Sequence, residues 1–203
     1  MSPNAYRLFW GMLSTSVMVA AALTLMREAH AAGPRLADTF TATTANMTPA
    51  GLNLRIQVIE WQDAGARGEV LAALAAGADA AAPLGKLPTV GYVWTKDSPV
   101  GYSLKYAQRA AAPEGGERIT LVTDRRLGQY DFRGWSVPSP AAAKDLPYSV
   151  IELYVDDSGN GDGALSLGAD VQLDKQSGTI SLAPGATRLL SDVKREGAKS
   201  AAH

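Results

Sequence analysis

Leu52, Leu54, Ile56 and Val58 alternate with Asn53, Arg55 and Gln57, and short runs of this kind return along most of the chain. Successive side chains of a strand point to opposite faces, so a period of two means one buried and one wet face. Thr39-Phe40-Thr41-Ala42-Thr43 is β-prone and is joined to the first alternating run by the turn signal Thr48-Pro49-Ala50-Gly51, which predicts an opening hairpin. Further strands are expected at residues 90–94, 102–106, 118–123, 149–155, 165–173, 179–182 and 187–194. The clusters 96–99, 113–116, 156–163 and 174–178 are read as turns between them.

One segment breaks the pattern. Asp63 is placed to cap a helix from Ala64, with Val70, Leu71 and Leu74 at helical spacing, and 80–86 reads as a second short helical turn ended by Pro88. The fold class is therefore mainly β, with α+β as the alternative. An antiparallel sandwich or barrel of about eight strands is expected, carrying one short helical insertion near residues 64–87.

The N-terminus follows different rules. Arg7 supplies one positive charge, Leu8 to Met26 contains none, and Ala29-His30-Ala31 gives the small-x-small pattern of a cleavage site. These are the three parts of a secretory signal peptide. Residues 1–31 are thus expected to be removed, leaving 32–203 as a single globular domain with a frayed C-terminal tail, and no transmembrane segment in the mature chain. The chain has no Cys. An exported protein of this size holds its core without disulfides, which suits a bacterial periplasmic or secreted location.

Charge and missing residue types exclude much chemistry. With 19 basic and 20 acidic residues the formal charge is −1, which argues against nucleic acid as partner. Beyond the leader the sole histidine is His203, at a terminus where no side chain is held rigidly. Nucleophile–His triads and His- or Cys-ligated metals are therefore not expected, and no cofactor is. Carboxylate chemistry survives, with Glu60, Asp63, Asp131 and Glu152 available. Glu152 is expected to face solvent, opposite Ile151 and Leu153; Ser103 and Lys105 are read as a polar stripe on an exposed sheet face. Asp156, Ser158, Asn160 and Asp162 offer alternate oxygens as a calcium loop does, but Leu167 stands where a bidentate Glu is needed, so a plain turn is expected and no metal.

The positive signal is aromatic and basic. Residues 125–148 form a long connection containing Arg125, Arg126, Tyr130 and Trp135, and loops of this length are functional or disordered. The aromatic anchors favour function, because Tyr, Trp and Arg bury large area with a polar handle. The loop is expected to fold over one end or face of the sheet, with Trp135 partly exposed at a groove whose other wall comes from Trp94 and Tyr102. The leading functional reading is an exported, non-catalytic protein that binds a small ligand, a glycan or another envelope protein. The alternatives are a carboxylate-dependent carbohydrate hydrolase and a structural accessory protein of the envelope.

Overall fold

The computed structural model describes residues 36–96, 98–112, 115–138, 145–174 and 176–197. The expected leader and cleavage site (residues 1–31), and most of the expected frayed tail, lie outside these residues. The strands are β1 (Asp38–Thr44), β2 (Asn53–Val58), β3 (Gly91–Thr95), β4 (Tyr102–Ala111), β5 (Glu117–Thr123), β6 (Val150–Val155), β7 (Asn160–Leu165), β8 (Val171–Asp174), β9 (Thr179–Leu182) and β10 (Arg188–Arg195). Between β2 and β3 run α1 (Ala64–Leu74), a single 3-10 turn and α2 (Ala81–Lys86).

Eight strands close into an antiparallel barrel in the order β1-β2-β3-β4-β5-β6-β7-β10, and β10 pairs back onto β1. This decides between sandwich and barrel. The other two strands form a separate hairpin, β8–β9, inserted between β7 and β10. The expected strand over 165–173 is corrected: Leu165 ends β7, residues 166–170 turn, and β8 begins at Val171. The stretch 156–163 is likewise not all turn, since β7 starts at Asn160.

Alternation becomes an inside and an outside. Phe40, Leu54, Ile56, Val58, Val93, Tyr102, Leu104, Ile119, Leu121, Ile151, Leu153 and Val193 fill the lumen and are buried. Apolar side chains thus point inward, the reverse of a lipid-facing barrel. Both ends are stopped. At one end Arg195 pairs with Asp38 (3.3 Å) and with Glu117, the Trp61 indole N–H donates to Asp38 (3.2 Å), and Arg109 lies over the Trp61 ring at 5.4 Å. At the other end residues 124–138 of the β5–β6 connection bring Leu127 and Trp135 onto the core.

A second apolar layer covers the outer face of β4–β7. Val70, Leu71 and Leu74 of α1, Leu84 of α2, and Ile180 and Leu182 of β9 pack on outward-facing Tyr106, Val122, Val150 and Ala164. Asp63 caps α1, accepting from the Gly65 and Ala66 N–H groups at 2.9 and 3.2 Å. This outer layer overturns two expectations of exposure. Glu152 does point away from Ile151 and Leu153, but β9 covers it and it is 2% exposed. It accepts from the Tyr154 hydroxyl (2.5 Å) and the Leu182 N–H (3.2 Å). Lys105 is 5% exposed, because a bulge between Leu104 and Tyr106 turns it under the α2–β3 segment. Its ammonium donates to the Leu87 carbonyl (2.9 Å) and Thr89 Oγ1 (3.0 Å), so no exposed stripe exists there.

Candidate functional site

The β5–β6 connection is pinned before it does anything else. The Thr123 hydroxyl donates to the Arg125 carbonyl (2.6 Å) and accepts from the Ser149 N–H (3.0 Å), while the Ser149 hydroxyl accepts from the Leu127 N–H (3.0 Å). These bonds tie the loop's two roots together. Its middle is fixed to β1–β2 by a reciprocal backbone bridge between Thr48 and Ser136.

Tyr102 then organises the loop from below. Its hydroxyl accepts from the Gly128 and Tyr130 N–H groups, both at 3.1 Å, and its ring stacks on Tyr130 with centroids 5.6 Å apart. Burial and the nearby Asp131 carboxylate push the Tyr102 phenol up to about 12. Both effects disfavour the charged phenolate. Gly128 has φ +82, and a Cβ there would lie 2.3 Å from Trp135 Cγ. Glycine is the residue that lets the indole cross the backbone here. The Trp135 N–H donates to one Asp131 oxygen (2.5 Å) and the Thr95 hydroxyl to the other (2.9 Å).

The result is a cleft of about 780 Å³ beside the stopped end of the barrel. Its wall includes Asp124, Arg125, Arg126, Tyr130, Asp131 and Asp145. Arg125 lies over the Tyr130 ring at 5.5 Å and 3.7 Å from Asp124, and Arg126 is ion-paired with Asp145. Phe132, next to Asp131 on the loop, is 97% exposed.

Four of the six expected site residues, Arg125, Arg126, Tyr130 and Trp135, line this cleft, and Tyr102 supports it from the core. Two corrections follow. Trp135 is not at a groove rim: it is 6% exposed and belongs to the core, because Gly128 and Asp131 draw the indole inward. Trp94 does not form the opposite wall. It shares the outward phase of Tyr92 on β3, with the two rings 5.3 Å apart, on the outside of the barrel. Asp124 and Asp145 were not singled out from sequence; the alternation of acid and base at Asp124-Arg125 was the one available signal.

The carboxylates considered for catalysis are scattered. Asp63 caps α1, Glu60 is exposed after β2, Glu152 lies under β9, and Asp131 alone reaches the cleft. In the 156–162 loop, Asp156 Oδ1 accepts from the Ser158 N–H (2.9 Å), the Ser158 hydroxyl (2.6 Å) and the Asn160 N–H (3.0 Å). Those donors hold its carboxyl below the usual range. Asp162 has left the loop to pair with Arg188 at 3.0 Å.

Among the described residues, no helix is long and apolar enough to cross a membrane. Comparison with protein-family models, with curated proteins and with solved structures found no match for this chain.

Proposed function

We propose that this is an exported binding protein whose end cleft takes a small, neutral, hydroxyl-rich ligand such as a mono- or disaccharide. The observation that carries the reading is the charge balance of the cleft wall. Two arginines stand there against three aspartates, and each arginine already has an acidic neighbour. An anion would have to displace those carboxylates. These ion pairs instead present donors and acceptors side by side, which is what a ring of hydroxyls, each both donor and acceptor, satisfies. Tyr130 adds a half-buried aromatic ring to the wall, and the lumen is filled by side chains, so a ligand sits on the barrel end rather than inside it.

Titration with neutral mono- and disaccharides, followed by amide chemical shifts, tests this. Shifts confined to residues 124–131 and 145–147, and lost in Tyr130→Ala and Asp145→Asn, support it. A panel without saturable binding, or shifts elsewhere on the surface, overturns it.

A second reading, hydrolysis, is favoured by three carboxylates sharing one cleft. Against it, both Asp131 oxygens accept hydrogen bonds and Asp145 is ion-paired. Release of reducing sugar from an oligosaccharide would establish it. For localisation, cleavage between Ala31 and Ala32 is tested by N-terminal sequencing of the protein recovered from fractionated cells, and a full-length chain in the inner membrane would refute export.

A further inference from the structure

The outer layer covers only half of the barrel. On β10, β1, β2 and β3 the outward positions include Lys194, Thr41, Thr43, Arg55, Tyr92 and Trp94, all exposed or half-buried. Register places four of them in one row: Lys194 opposite Thr41, Thr41 opposite Arg55, and Arg55 opposite Trp94. Three interstrand steps of about 4.8 Å make such a row about 14 Å long, the span of two to three sugar rings. A cleft of about 500 Å³ runs along it, also lined by Lys96 and Asp192.

Trp94 is set in this cleft differently from the other described tryptophans. Trp61 and Trp135 donate their indole N–H groups to Asp38 and Asp131, whereas the Trp94 N–H has no partner among the described residues. The backbone of Gly101 presses on the indole so closely that a Cβ there would lie 2.8 Å from Nε1. The indole thus packs against the Gly101 backbone, beside the Tyr92 ring, with its donor left without a partner among the described residues. The charges also differ from those of the end cleft. Lys96 and Lys194 have no carboxylate partner among the described residues and meet Asp192 alone on the lining, whereas Arg55 is already paired with Glu196 at 3.2 Å.

We infer that this face is a second ligand site, independent of the end cleft, for a short oligosaccharide carrying carboxylates. The half-buried Trp94 indole stacks on the C–H face of a sugar ring, and the hydroxyls of Thr41 and Thr43 meet the sugar hydroxyls. Lys96 and Lys194 answer the carboxylates. A nucleic acid is disfavoured, since its binding requires many phosphates to be neutralised by a chain whose own formal charge is −1.

The test is calorimetric titration of the full chain with trigalacturonate, neutral galactotriose and AMP. Trigalacturonate should bind, weaken as salt is raised, and exceed galactotriose by at least about tenfold. Trp94→Ala and, separately, the surface double variant Lys96→Gln with Lys194→Gln should each weaken it by about tenfold or more. Tyr130→Ala should leave it unchanged. If Trp94→Ala does not fold, the lysine variant decides. No binding of trigalacturonate, equal affinity for galactotriose, or equal affinity for AMP overturns the inference. So does loss of binding in Tyr130→Ala, which would move the acidic sugar to the end cleft.

Discussion

Removing one oxygen from Tyr102 tests how the end cleft is held. In Tyr102→Phe the ring and its stack on Tyr130 remain, but the Gly128 and Tyr130 N–H groups lose their acceptor. An orphaned buried donor costs about 1–3 kcal/mol, so the two together should cost roughly 2–4 kcal/mol, the Tyr130 group being partly rehydrated. For a domain of this size that corresponds to a fall in melting temperature of roughly 5–12 °C at pH 7. Alkaline pH supplies a second reading of the same group. The phenol ionises near 10.0 when unfolded and near 12 when folded. Its contribution is therefore fully present below pH 10 and is lost as pH rises through 12, by about 3 kcal/mol for a two-unit shift. Phenylalanine has no such loss. The gap between wild type and variant should accordingly narrow from pH 10 to pH 12, and the other raised tyrosines, Tyr106, Tyr148 and Tyr154, cancel in that difference. Thermal melts of both proteins at neutral and alkaline pH measure it. Superimposed melts at pH 7, or a gap that stays constant to pH 12, would refute the reasoning.

Other perturbations give sharp outcomes. Leu74→Ala removes a side chain 1% exposed between α1 and the barrel, and chemical denaturation should show a loss of about 2–5 kcal/mol. Gly68→Ala meets open space in an exposed turn of α1 and should raise stability by about 0.5–1 kcal/mol, read from the same denaturation curves. Gly161→Ala is the opposite case, because its Cβ would lie 1.7 Å from the Tyr154 carbonyl oxygen; expression should yield no folded protein by circular dichroism. Melts with millimolar calcium and with chelator should overlay, since Asp156 Oδ1 is already taken by three local donors; a clear separation of the curves would make that loop a metal site.

Period-two alternation carries the barrel because it is local: Leu54, Ile56 and Val58 need only each other to declare an inner face. It fails where a distant segment sets the requirement. Asn160-Gly161-Asp162-Gly163 has the composition of a turn, yet it opens β7, where Gly161 and Gly163 face inward and a Cβ on either would strike the β6 backbone. Glu152 and Lys105 have polar side chains on outward positions, and only β9 and the α2–β3 segment packed over them bury them. At the site, the aromatic and basic content of residues 125–135 was legible, while the choice between core and rim for Trp135 depended on contacts with Gly128 and Asp131 that follow from loop geometry. The separation of Trp94 from Tyr102 was in principle readable. Tyr102 shares the phase of inward Leu104, whereas Trp94 is out of phase with inward Val93.

The barrel is a ring whose seam joins its first strand to its last, with Phe40 opposite Arg195 and the Glu196 N–H donating to the Thr39 carbonyl. Nearly every other strand pairs with its neighbour in sequence and can zip up as a meander at small entropic cost. The seam can form only once β10 is available, and its contacts close the longest loop in the barrel. Until then β1 and β7 each present an open edge to any strand nearby. A chain stopped before Arg188 would therefore be no smaller barrel. It would be a curled sheet with two open margins, each offering its unpaired backbone groups to a second copy.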